Sequence, residues 1–170
     1  MSKSVFILGG QRSGKSGYAV RQAELRSEHP VYIATARIWD EDFRKRIIRH
    51  QQDRGPHWTT IEEEKYISSL HIPGKSVVVL DCVTLWLTNF FIDNDYDAEV
   101  TLSQAKQEWD KFIQKDMELY VISNEVGMSL HAQTETGRKF TDLQGWMNQY
   151  IASKSDEVYL MVAGIAHKIK

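Results

Sequence analysis

The sequence holds a single cysteine, Cys82, so no internal disulfide framework is open to it, and a lone thiol fits a reducing compartment. Proline is nearly as scarce, at 3 residues, and the 10 glycines are scattered, so no Pro/Gly-rich linker, internal repeat or low-complexity stretch divides the chain. No apolar run approaches the length of a membrane span, and the short run Val5-Phe6-Ile7-Leu8 before the first glycines is too brief for the core of a signal peptide. Surplus charge is also missing. A net charge of -2 leaves no broad basic surface for nucleic acid. With 42% hydrophobic and 26% charged residues in 170, the expectation is a cytoplasmic chain forming one domain over residues 1–170, large enough to bury a core without staples.

What is present is a succession of short, β-favouring apolar runs. They are Val5 to Leu8, Val31 to Ala34, Val77 to Leu80, Leu119 to Ile122 and Val158 to Val162. Each is continuous rather than alternating, as strands buried on both faces read. Helix-length stretches lie between them: Lys15 to Arg26, Glu41 to Asp53, Leu85 to Ile92, Ala98 to Lys115 and Lys139 to Lys154. Strand and helix in alternation predict an α/β fold, with a mostly parallel sheet covered by helices on both faces. Ligands bind such sheets outside the carboxyl ends of the strands, so the residues just past each run carry the functional question.

After the first run stand Gly9, Gly10, Gln11, Arg12, Ser13, Gly14, Lys15 and Ser16, which satisfy G-x-x-x-x-G-K-[ST] at every defined position. Glycines let the backbone curl until successive N–H groups face one concavity, and a helix opening at Lys15 adds its positive end. In such a loop Lys15 reaches phosphate oxygens and the Ser16 hydroxyl ligates Mg²⁺. A carboxylate at the end of a neighbouring strand completes that metal site, and Asp81 comes directly after Val77-Val78-Val79-Leu80. Asp81 has a second reading, as the cap of the next helix. Cys82 beside it reads as a small buried filler. Ala34, Thr35 and Ala36 end the second strand, where small residues let a base or ribose approach or let a helix pack.

Three further segments carry polar chemistry. Residues 41–54 read as a basic helix with Asp40 as its N-cap, Glu41 and Asp42 in the first turn, and Phe43, Ile47, His50 and Arg54 along one side. His50 there is either a partly buried histidine or an imidazole held among cations that gather phosphate. The stretch from His57 to Glu62 places an exposed Trp58 before an acidic run, Glu62 to Glu64, that predicts the first turn of a helix over Tyr66 to Leu70. Asn124 and Glu125 stand after the fourth run; Glu125 is a general base, a second metal contact or a brace for its loop. In the next helix Arg138 and Asp142 have the spacing of a surface ion pair.

Taken in order, GGQRSGKS at Gly9, YIATA at Tyr32, RIIRHQQDR at Arg46, HWTTIE at His57, LDCVTLWLTN at Leu80, SNEVGM at Ser123, GRKFTDLQGWMNQYIA at Gly137 and VYLMVAGIAHKIK at Val158 resemble one family over nearly the whole chain. It is the bifunctional adenosylcobinamide kinase / adenosylcobinamide-phosphate guanylyltransferase family of cobalamin biosynthesis. The resemblance implies a RecA-like P-loop NTPase fold and two successive reactions. A nucleoside triphosphate, ATP or GTP, phosphorylates adenosylcobinamide; GTP then guanylylates a histidine, which passes GMP to adenosylcobinamide phosphate. It implies that His50 is the nucleophile and that nucleotide contacts come from Gly9 to Ser16, Ala34, Thr35, Ala36, Gln51, Gln52, Asp53, Arg54, Glu62 and Asp81. It further implies Mg²⁺ and a homotrimer. Two alternatives stay open: a P-loop kinase in which His50 only binds phosphate, and a regulatory module that changes shape on hydrolysis.

Overall fold

The structure is a computed structural model that describes residues 3–38, 44 and 54–170. Its centre is a seven-stranded sheet: β1 (Ser4–Gly9), β2 (Val31–Ala34), β3 (Thr59–Glu62), β4 (Ser76–Asp81), β5 (Met117–Asn124), β6 (Glu157–Val162) and β7 (Ile165–Lys168). They lie in the order β3-β2-β4-β5-β1-β6-β7, all parallel except the hairpin of β6 and β7. Four α-helices are described, α1 (Lys15–Glu24), α2 (Val83–Asp93), α3 (Ala98–Phe112) and α4 (Glu135–Lys154). The α/β expectation holds. The expected helix over residues 41–53, with its cap Asp40 and with His50, lies outside the described residues.

Both faces of the sheet are apolar because side chains alternate across a strand and both sets are covered. On one face Ala19 and Ala23 of α1 pack on Val5, Ile7, Val79 and Ile122. Small residues there let the helix that leaves the glycine loop lie close to the strands. On the other face Trp86, Phe90, Trp109, Phe112, Leu143 and Met147 of α2, α3 and α4 cover Phe6, Ile33, Val78, Leu80 and Val121. The helices start where the chain supplies caps: Asp97 accepts from the Val100 amide at 2.9 Å, and Thr134 accepts from the Gly137 amide at 3.0 Å.

Three local expectations are corrected. Thr59–Glu62 is a strand, paired with β2 from Val31↔Thr59 to Ala34↔Glu62, so Glu62 ends an edge strand instead of opening a helix. The acidic run still caps a turn, since Glu63 accepts from the Lys65 and Tyr66 amides, but the chain then makes a single 3-10 turn, Ile67–Ser69. Trp58 is buried rather than exposed; its ring meets Tyr32 edge-on, and its indole N–H donates to Glu24 at 3.0 Å. Arg138 does not pair with Asp142: α4 begins at Glu135, and Arg138 reaches back to the carbonyls of Ala132 and Gln133. The ion pair of that turn is Lys139 with Glu135 at 2.8 Å.

Candidate active site

The register aligns the carboxyl ends of the strands into one edge. Glu62 stands opposite Ala34, Ala34 opposite Asp81, and Gly9 opposite both Asn124 and Met161. The loop 9–16 rises from the middle of this edge. Gly9 is required by space, because a Cβ there would lie 2.5 Å from Ser13 Oγ and 2.7 Å from the Met161 carbonyl oxygen. Gly14 is required by conformation, with φ 96° at the N-cap of α1. The turn of the β6–β7 hairpin backs the loop: the Gly164 amide donates to the Ser13 carbonyl at 2.9 Å, and a Cβ on Gly14 would come within 3.1 Å of Gly164 Cα.

Helix α1 opens with no side-chain cap and no acid in its first turn. Its leading N–H groups are therefore left for a ligand, and the first turn brings no acid of its own to the positive helix end. Lys15 is buried and folds over the loop, donating to the Gly10 carbonyl at 2.6 Å and to Ser13 Oγ at 3.4 Å. Burial pushes the Lys15 pKa down, and Cys82 and Asp81 oppose the shift. A phosphate would exchange these neutral acceptors for an anionic one, a stronger partner for an ammonium.

Asp81 closes β4 beside the start of α1. Its Oδ2 accepts from Ser16 Oγ at 2.9 Å and from the Tyr32 hydroxyl at 2.5 Å. The rival cap reading fails: α2 is capped by Cys82 without any side-chain hydrogen bond. A hydroxyl and a carboxylate are hard oxygen donors, and Mg²⁺ takes one or two such protein ligands with the rest of its shell from phosphates and water. The residues fit that ion. Cys82 is buried as expected, and burial raises its thiol to about 12, which keeps it from acting as a thiolate ligand.

Sequence reasoning missed Tyr32. Its ring is buried, its hydroxyl is held protonated by burial and by Asp81, and Arg54 lies over its face with the guanidinium carbon 3.5 Å from the ring centroid. A tyrosine inside a buried strand was the available signal, since its hydroxyl must find a partner there. Arg54 is itself buried, with Nη2 3.5 Å from Thr60 Oγ1 and Nε unpartnered among the described residues. Arg54 is thereby linked, through Tyr32, to Asp81.

The other expected contacts are dispersed. Thr35 is fully buried and works as a staple: its hydroxyl donates to the Cys82 carbonyl at 2.8 Å and accepts from the Cys82 amide at 2.9 Å. Ala34 and Ala36 flank it, half-buried. Glu62 is exposed on the same edge, but β2, β4 and β5 separate its strand from β1, roughly 19 Å at the usual strand spacing. His50, Gln51, Gln52 and Asp53 lie outside the described residues. On the other flank a buried cluster fixes the end of β5. Ser123 donates to Asn148 at 2.7 Å, Gln144 donates to both, and Asn148 donates to the Asn124 carbonyl at 3.2 Å.

This loop and sheet have parallels among known proteins. The sequence model of the family described as "Cobinamide kinase / cobinamide phosphate guanyltransferase" matches residues 5–169. An Escherichia coli protein named bifunctional adenosylcobalamin biosynthesis protein CobU is 35% identical over 181 residues, with 98% of this chain and 99% of that protein covered. A Pseudomonas aeruginosa protein named bifunctional adenosylcobalamin biosynthesis protein CobP is 33% identical over 167 residues, covering 96% and 95%. Among solved structures, an ATPase of a bacterial type III secretion system superposes with a TM-score of 0.55 at 9% identity, covering 98% of this chain and 56% of that one. That likeness shows the fold alone, a mostly parallel sheet flanked by helices. Among the described residues no helix is long and apolar enough to cross a membrane.

Proposed function

On the premise that this chain belongs to the cobinamide kinase / cobinamide phosphate guanyltransferase family and is a bifunctional enzyme of that kind, we propose that one phosphate-binding site serves two successive reactions. In the first, a nucleoside triphosphate, ATP or GTP, bound by Gly9 to Ser16 gives its γ-phosphoryl group to the hydroxyl of adenosylcobinamide. In the second, the His50 imidazole attacks the α-phosphorus of GTP, the bond to the bridging oxygen breaks, and pyrophosphate leaves. Adenosylcobinamide phosphate then takes the GMP from His50, giving adenosylcobinamide-GDP. Imidazole is substantially neutral at pH 7, so it attacks without prior loss of a proton, and the covalent step divides one difficult displacement into two.

The observation that carries the reading is the Lys15, Ser16 and Asp81 arrangement at the mouth of the loop. Ser16 and Asp81 would hold Mg²⁺ brought by the nucleotide, and the ion would neutralise charge on the phosphates when bound. Lys15 supplies the same service to the phosphates from the protein side. For His50 the support is its place in the R-I-x-x-H pattern, and Arg54, four residues later, is anchored beside Asp81 through Tyr32. The homotrimer and the cytoplasmic location expected from the sequence belong to the same reading; sedimentation equilibrium tests the first.

GTP labelled at the α or the γ position separates the readings. Protein incubated with α-labelled GTP and Mg²⁺ is expected to keep label after denaturation, in a linkage labile to acid and stable to base, and to keep none from γ-labelled GTP. His50→Ala loses the adduct and retains phosphoryl transfer, whereas Lys15→Ala loses both. Label persisting in His50→Ala, or transfer from the γ position alone in the wild type, returns the protein to the simple-kinase reading.

A further inference from the structure

A cleft of about 560 Å³ opens beside the phosphate loop, between the end of β5 and the end of β6. One wall is the loop itself, Gly10 to Ser13. Glu125 also lines the cleft, and the remainder is largely apolar, including Met128, Leu160 and Val162. The volume suits a substituent of a large molecule rather than the whole of one. Met128 and Val162 are 79% and 54% exposed, an apolar rim on which the bulk of such a molecule would rest.

Among the described residues Glu125 is the one carboxylate lining this cleft. It is the first residue past β5, and its amide donates to the Gly9 carbonyl at 3.0 Å, so its backbone is fastened to the first residue of the phosphate loop. The residue before it is fastened as well: the Asn124 amide donates to Thr84 at 3.0 Å, and the Asn124 carbonyl accepts from Asn148. A group mounted on so fixed a strand end is held in place before any ligand arrives. Among the described residues its side chain accepts one hydrogen bond, from the Gly127 amide to Oε1 at 3.2 Å, and a carboxylate has capacity for more.

Resting on the kinase half of the function proposed above, we infer that this cleft receives the hydroxyl-bearing arm of the acceptor alcohol and that Glu125 is the base for that hydroxyl. The acceptor O–H proton passes to a Glu125 oxygen while the hydroxyl oxygen forms a bond to the γ-phosphorus. The bond from that phosphorus to the β,γ-bridging oxygen breaks, the nucleoside diphosphate leaves with its electrons, and Glu125 returns the proton to water. The apolar rim favours an acceptor whose hydroxyl is carried on a large body with an apolar surface to lay against it.

Glu125→Gln tests the base without removing the turn, because the amide oxygen can still accept from Gly127. Kinase kcat is expected to fall by about 100-fold or more, the usual worth of a positioned base, while the dissociation constant of the nucleotide stays within about threefold. Glu125→Ala should regain part of its turnover on addition of acetate, and Val162→Asp should raise the acceptor KM at nearly constant kcat. Turnover within threefold of wild type in Glu125→Gln, or a nucleotide affinity that falls as far as kcat, overturns the assignment of the base. An unmoved acceptor KM in Val162→Asp overturns the placement of the acceptor. A wild-type protein that binds GTP and leaves adenosylcobinamide unphosphorylated overturns the family reading itself, and this inference with it.

Discussion

Replacing Tyr32 by Phe removes one hydroxyl and little else. The ring still meets Trp58 edge-on at 6.1 Å, and Arg54 still has its face to stack on. What is lost is the donor to Asp81 Oδ2, the same oxygen that accepts from Ser16. A hydrogen bond to a charged group is worth about 1.5–3 kcal/mol, and because Asp81 is only half-buried and can recruit water, the lower end applies. For a domain of this size about 1.5 kcal/mol lowers Tm by roughly 3–6 °C. The larger effect should fall on the metal. A carboxylate released from one of its two tethers can rotate away from Ser16, and loss of such an outer partner typically weakens metal affinity 10- to 100-fold. Calorimetric titration of GTP at a series of Mg²⁺ concentrations reads this directly, as a rise of about tenfold in the Mg²⁺ needed for half-maximal binding. If Tm falls as stated while the Mg²⁺ requirement stays within twofold, the bond is a folding contact alone and the metal argument built on Asp81 is wrong.

Gly9→Ala should unfold or severely destabilise the protein, by roughly 3 kcal/mol or more, because the new Cβ meets the Met161 backbone oxygen at 2.7 Å. Gly10→Ala meets nothing within 4 Å, so its urea midpoint should match the wild type; equal loss in both variants would refute the packing argument. Glu157 accepts hydrogen bonds from Tyr159, Lys3 and Lys168, which hold its carboxyl down at about 2. A depressed carboxyl stabilises the fold fully above its unfolded pKa near 4.3 and loses that contribution as pH falls toward 2. Amide protection in the β6–β7 hairpin should therefore erode between about pH 4.5 and 2, and Glu157→Gln should flatten that dependence; an unchanged profile removes Glu157 as the cause.

The parts of the site that the sequence makes legible are those with local rules. A glycine pattern between a strand and a helix, and an Asp closing an apolar run, need no knowledge of distant partners. The β3 strand escaped because Thr59-Thr60-Ile61-Glu62 is an edge strand, three of whose four side chains face solvent, so no apolar run marks it. Trp58 reads as exposed among His57, Thr59 and Thr60, yet β2 and α1 reach it from elsewhere in the chain and bury it. Tyr32 was hidden for the same reason: its partner Asp81 is 49 residues away and becomes a neighbour only through the β2–β4 register. The reading of His50 and its neighbours rests on sequence alone.

The contact of the hairpin turn with the phosphate loop bears on how the protein is made. Gly164 supports Ser13 and Gly14 from about 150 positions further along the chain. At about 5–20 residues per second, a ribosome needs roughly 8–30 s to travel from the loop to its support. For most of that interval strand β1 also lacks its neighbours: β5 comes only at Met117–Asn124 and β6 only at Glu157–Val162, just ahead of the turn behind the loop. Nucleotide cannot serve as a template for the early nascent chain, because the shape it recognises is complete only once Gly164 has been made.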